Sequence, residues 1–280
     1  MGLQDRLDQI CATQPFATSF HVRDLATGAV YARDADGIRP SASTRKISIM
    51  MAALRAVHQG RLDLAEPVTV TAEMSEGVAS GTFQYMTPGF VITLRDAIVQ
   101  MIIMSDNVCT GIVAGRLTLD ELNDFCGKAG MTGTTHRFIV PPPDMPPDHR
   151  LDEVTTTTPA DQGCLLAQIL AGCGDAEVAA RLGCTPELCQ LGLQFLSWQK
   201  YRTMIPSQLP AGTKVAHKTG TGRRGRMDAG IVYRDTTPRF IIAVYTDQVP
   251  TTMPDGLPGY AAAFLVIGAL ARACWEAFSP

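Results

Sequence analysis

The chain has 280 residues, 46% hydrophobic and 18% charged, enough to bury a full core as one large domain or two intimate ones. Its formal net charge of -3 carries no basic excess, and no Lys/Arg stripe interleaved with aromatic residues runs along it, which excludes nucleic acid as a partner. The eight cysteines (Cys11, Cys109, Cys126, Cys164, Cys173, Cys184, Cys189, Cys274) form no Cys-x-x-Cys, and no histidines stand at ligand spacing, so they read as reduced core residues without a metal.

Leu3, Leu7 and Ile10 share one side of an amphipathic helix that runs to Gln14. Charges at Asp5, Arg6 and Asp8 interrupt what a signal peptide would keep apolar. A cytoplasmic chain is therefore expected, or a periplasmic or secreted one if a leader has been trimmed away. Ser19 to Arg23 and Ala29 to Ala32 read as two short strands around the turn Thr27-Gly28, a hairpin. Next comes Ser43-Thr44-Arg45-Lys46, then an apolar run from Ile47 to Val57 with no Gly or Pro before Gly60. This predicts a buried helix beginning near Ser43. Helical periodicity continues at Leu94 to Met104, Leu119 to Ala129, Ala160 to Leu170 and Leu188 to Trp198. After Pro210 the texture becomes β, at Lys214 to Lys218, Ala229 to Tyr233 and Phe240 to Tyr245, and a helix from Tyr260 to Phe278 closes the chain. The apolar run Ala261 to Ala271 within it is too short to span a bilayer and reads as a buried helix. These switches of periodicity predict a discontinuous sheet domain (1–38 and 205–280) with a helical domain (39–204) inserted, and an active site in the cleft between them.

On a helix, residues three apart share a face, so Ser43 and Lys46 stand side by side at a first turn, where free N–H groups favour developing negative charge. A serine hydroxyl is inert at its own pKa, and a lysine whose charge is disfavoured by burial can take its proton. Such a pair arises by chance about once in a chain this long, so it needs company. Ser105-Asp106-Asn107 closes the apolar helix Ala97 to Met104 and by itself reads as a cap. Lys218-Thr219-Gly220 ends a β stretch. In this order, each on a fitting element, the three are the signature of serine enzymes that open lactams and D-Ala peptides. A further pattern, Gly220-Thr221-Gly222-Arg223-Arg224-Gly225, matches a dinucleotide fingerprint. The residues after it, Met227 to Tyr233, read as a strand rather than the helix a pyrophosphate requires, so no cofactor is expected.

On these motifs the chain resembles the class A β-lactamases, within the penicillin-recognising serine acyltransferases, over nearly its whole length. The resemblance implies an α/β two-domain, β-lactamase/DD-peptidase-like fold: an antiparallel sheet domain flanked by terminal helices, plus an inserted helical domain. It implies Ser43 as nucleophile, Lys46 as its proton acceptor and Ser105 as the relay to the leaving nitrogen. Asn107 would bind the substrate amide beside Thr219 and Gly220, Lys218 would supply positive potential, and the N–H groups of Ser43 and Thr221 would form the oxyanion hole. A small lactam, amide or ester is the expected substrate, and a monomer the expected state. Tyr85 is either a cleft-wall aromatic that stacks on substrate or a core residue. Arg224 or Arg226 either anchors a substrate carboxylate bidentately or faces solvent.

Class A enzymes also carry a loop glutamate that activates the water releasing the acyl group. Aligned without a gap from Met131 to Pro159, its slot falls on Pro142, that of a companion asparagine on Pro146, and the bracing Arg–Asp pair on Val140 and Thr155. Proline offers no general base. Three readings stay open: a serine hydrolase with slow or non-standard deacylation, in which Lys46, Asp144, Asp148 or His149 handles water; an acyltransferase or esterase in a biosynthetic or peptidase role; and a binding protein that is acylated and stays so. For Asp144, Asp148 and His149 the alternative is a solvated loop.

Overall fold

Strands of alternating residues build one antiparallel sheet from both ends of the chain. β1 (Ala17–Asp24) and β2 (Val30–Arg33) come from the start, and β7 (Val215–Thr221), β8 (Arg226–Arg234) and β9 (Thr237–Asp247) from the end, in the order β2-β1-β9-β8-β7. β1 pairs with β9 along its length, from Ala17 opposite Asp247 to Asp24 opposite Phe240. The computed structural model describes residues 1–140, 142 and 145–278, so Asp144 lies outside the described residues.

Successive strand side chains point to opposite faces. Val215, Val232, Phe240, Ile242 and Val244 pack with α1 (Leu3–Ala12) and α9 (Gly259–Ala277) on one face. Ala216, Met227, Ala229, Ile231, Ile241, Ala243 and Tyr245 join the helical core on the other. At the centre of that core is α2 (Lys46–His58), buried at every residue from Lys46 to Leu54. Burying each of Ile47, Ile49, Met50, Met51 and Leu54 contributes about 2 kcal/mol, which offsets the cost of carrying a lysine into the same helix. Around α2 lie α3 (Leu94–Ile103), α4 (Asn107–Ala114), α5 (Leu119–Lys128), α6 (Pro159–Gly172), α7 (Ala176–Arg181) and α8 (Pro186–Ser197). Their starts are written in the sequence: Thr93 with Asp96 and Thr118 with Glu121 form capping boxes, and Thr158-Pro159 and Thr185-Pro186 place proline at the first helical position. Two short pairs complete the fold, β3 (Arg39–Pro40) with β6 (Thr156–Thr157) and β4 (Pro67–Thr69) with β5 (Val91–Thr93).

Three of the departures from the sequence reading concern elements it had named. The α-helix begins at Lys46, and Ser43 lies in a 3₁₀ turn, Ala42–Arg45, ahead of it. Asp106 caps the start of α4 rather than the end of α3, its side chain accepting from Cys109 N. Finally, α9 spans 19 residues and is by length and composition apolar enough to cross a membrane, beyond what Ala261 to Ala271 alone suggested. Its Ala263, Val266, Ile267, Leu270 and Cys274 are buried in the core on the outer face of the sheet, which accounts for much of that apolar character.

Candidate active site

The turn that carries Ser43 is pinned from several directions. Ser41 donates from its backbone N (2.9 Å) and its Oγ (3.0 Å) to Thr155 O. Thr44 Oγ1 bonds the Tyr245 hydroxyl at 2.6 Å, which ties the turn to the inner face of the sheet. Ala42, with φ 41, is held in the left-handed region that residues with a Cβ avoid. Ser43 itself is only half-buried.

Lys46, one turn on, is buried. Its Nζ lies 2.8 Å from Ser105 O, 2.7 Å from Asn107 Oδ1 and 3.2 Å from Ser105 Oγ. Burial, reinforced by the like charges of Lys218 and Arg45, holds this amine well below the usual lysine range, against the opposing pull of Asp106 and Cys109. A neutral amine has two N–H groups and one lone pair. The two carbonyl oxygens can only accept, so they take the N–H groups and leave the lone pair for a hydroxyl.

Ser105 and Asn107 reach Lys46 because Asp106 between them organises the bend from α3 to α4. Asp106 Oδ2 accepts from Thr82 N (2.7 Å) and Phe83 N (2.9 Å), while Oδ1 caps α4 through Cys109 N (3.1 Å). The approach is so close that a Cβ on Gly81, whose φ is +102, would stand 2.2 Å from Asp106 Oδ2. Asn107 N bonds Ser80 O at 2.9 Å, and Ser105 takes a φ of 55. Residues 80–83 are thereby stitched to the start of α4.

The third side is β7, the last strand of the sheet. Lys218 is fully buried and its Nζ donates to Thr219 O at 2.8 Å. Burial lowers its pKa to about 7, with Asp228 pulling the other way. A Cβ on Gly220 would meet Met227 Cγ at 2.5 Å and Ala42 Cβ at 3.3 Å, so only glycine lets the strand lie against the residue before Ser43. Thr219 is buried and Thr221 exposed.

A family model described as the β-lactamase enzyme family matches residues 2–278. The chain belongs to that family. A β-lactamase from Sphaerobacter thermophilus superposes with a TM-score of 0.82 at 24% identity, covering 99% of this chain and 97% of that one. The class A β-lactamase of the last common ancestor of Gram-negative bacteria gives 0.83 at 24%, with 100% of both chains covered. PBP-A gives 0.79 at 27%, covering 98% and 96%. The fold is thus the two-domain class A β-lactamase fold, and the protein is a serine hydrolase of the β-lactamase type.

In this β-lactamase relative Lys46, Ser105 and Asn107 are hydrogen-bonded together, and β7 brings Gly220 against the turn that carries Ser43. Tyr85 is 84% exposed in the turn Phe83–Tyr85, so it is no core residue. The two arginines weighed as carboxylate anchors are engaged inside the protein. Arg224 forms a bidentate pair with Asp247 at 2.7 and 2.8 Å, and its third nitrogen donates to His149 O at 2.6 Å. Arg226 donates to Gly222 O and Gly225 O and lies over the rings of Tyr260 and Phe264 on α9. Asp148 is exposed, whereas His149 is buried with Nδ1 3.1 Å from Arg150 O. Sequence reasoning took Asp106 as a cap within its motif but not as the cap of α4 or the acceptor for Thr82 N and Phe83 N, and it missed Arg45, which carried no signal beyond a cation in an apolar run.

Proposed function

We propose that this protein forms an acyl-enzyme on Ser43 with lactams or related amides and esters, and releases the acyl group slowly. The observation that carries this reading is the Lys46 amine, buried and held by Ser105 and Asn107 one turn after Ser43. Lys46 accepts the Ser43 Oγ proton as Oγ attacks the substrate carbonyl. The N–H groups of Ser43 and Thr221 receive the oxyanion, and Ser105 Oγ, 3.2 Å from the amine, passes the proton to the leaving nitrogen. Lys218 adds positive potential beside a substrate carboxylate, and Asn107 and Thr219 hold the amide.

Release needs a water activated by a base, and the slot the resemblance assigns to that base is Pro142, which is exposed. Lys46 is the remaining base whose contacts with the catalytic groups are defined, and His149 is the loop candidate that is buried rather than solvated. A leucine-to-glutamate mutant of PBP-A, 26% identical to this chain, has been solved as its acyl-enzyme complex with penicillin G. That complex supports penicillins as acylating probes here. It also keeps open a second reading, favoured by the proline at position 142, in which the acyl group passes to an acceptor other than water.

Intact mass spectrometry over time after mixing with penicillin G tests the proposal. The expected result is a stoichiometric adduct mapping to Ser43, absent in Ser43→Ala, with a product burst equal to the enzyme concentration before a slow steady phase. Multiple turnovers with no accumulating adduct would overturn slow release. A label on Ser41, Ser48 or Ser105 would overturn the assignment of the nucleophile.

A further inference from the structure

We propose that Arg45 is a positioning residue that clamps both ends of the 138–155 loop onto the nucleophile turn, so that loop and turn hold their places together. This rests on the reading of Ser43 and Lys46 just given. Arg45 is 2% exposed, yet among the described residues no carboxylate pairs with it. Its guanidinium donates instead to the carbonyls of Phe138 and Ile139 at one end of the loop and to Thr155 Oγ1, at 3.4 Å, at the other. A buried guanidinium is tolerated only when its N–H groups are matched, and its planar fork suits two consecutive carbonyls as an ammonium does not.

The far end is tied a second time. Thr155 O accepts from Ser41, two residues before Ser43, and Arg137 bridges Val154 O (2.7 Å) and Thr156 Oγ1 (3.0 Å). Carbonyl and hydroxyl acceptors do not titrate in the working range, so a clamp of this kind holds across pH where an ion pair would loosen. The charge has a second consequence. Lys46 is faced by Arg45 from its own turn, by Lys218 from β7, and by Asp106 and Cys109 from α4. Arg45 therefore also favours the neutral amine, and a lysine in its place would keep that effect while losing the fork.

The test uses the full chain and the variants Arg45→Lys and Arg45→Met. One readout is tryptic nicking after Arg150, whose side chain is 75% exposed. The other is the pH profile of Ser43 acylation by penicillin G. Nicking at Arg150 is expected to be at least about tenfold faster in both variants, with the rest of the chain still resistant. The midpoint of the acylation profile is expected to rise by roughly one pH unit in Arg45→Met and to stay put in Arg45→Lys. Wild-type nicking in both variants, or digestion spread evenly over the chain, would overturn the clamp. An unmoved midpoint in Arg45→Met would overturn the electrostatic part. If Arg45→Met fails to fold, Arg45→Lys alone decides the nicking. If wild-type Ser43 takes no acyl group, the catalytic reading fails while nicking still decides the clamp.

Discussion

Around Ser43 the side chains of Ser41, Thr44, Arg45 and Lys46 are each buried and each bonded to a named partner, whereas along residues 146–153 most side chains meet water. The two regions are adjacent, joined through Thr155 and Arg45, yet they are constrained differently. In the first, changing any one group strands a buried partner, at a cost of about 1–3 kcal/mol for each unsatisfied donor or acceptor. In the second, the hold is on backbone atoms, at His149 O within it and at Phe138 O, Ile139 O and Val154 O beside it, so its exposed side chains, such as Asp148 and Arg150, are free to be exchanged. Under the proposed function, this is how a β-lactamase relative would keep the acylating groups while the loop carries proline where its family resemblance implies a base.

The largest effect that could break this comparison is at Lys46. Lys46→Met is expected to slow acylation by penicillin G at least about a hundredfold in stopped-flow measurements, the scale of losing a positioned acid–base group. An unchanged rate would mean that the packed turn is not where the chemistry starts.

A smaller effect lies in pH. Lys218 loses its charge as pH rises through about 7 in the free enzyme. A bound carboxylate favours the charged form and raises that pKa. For an anionic penicillin the second-order acylation rate should therefore fall severalfold between pH 7 and 9, while the rate at saturation stays nearly flat. On the acid side both rates fall once the Lys46 amine is protonated. A second-order rate that is level from pH 6 to 9 would show that Lys218 stays charged throughout.

The smallest expected effects sharpen the contrast from the loop side. His149→Asn and Asp148→Asn, tested singly by burst kinetics, should change the burst by less than about twofold. The steady rate should drop only if the residue replaced is the one that handles water. A burst that collapsed in either variant would show that the loop takes part in acylation.

The residues proposed to carry chemistry were legible as motifs because their types and spacing suffice: Ser43 and Lys46 one turn apart, Ser105 to Asn107 at a helix junction, Lys218 to Gly220 at a strand end. What stayed hidden depends on contacts distant in sequence. Arg224 offers a fork that fits any carboxylate, and only the arrangement of the β7–β8 turn beside β9 shows that Asp247 already fills it. The helix α4 escaped notice because Val108, Ile112 and Val113 are β-branched and Gly111 sits among them, a poor helical sequence that tertiary packing overrides. Arg45 escaped for the opposite reason, since an apolar helix pattern treats one cation as noise.

The place of β7 at the end of the sheet has a consequence for colloidal behaviour. A terminal strand offers a row of unpaired peptide groups to any passing chain, and proteins usually blunt such a row or cover it. Here α8 and the 3₁₀ turn before α2 pack beside β7, and Thr221, at its far end, is exposed. Substitutions that loosen α8 from β7 would therefore first be felt as self-association.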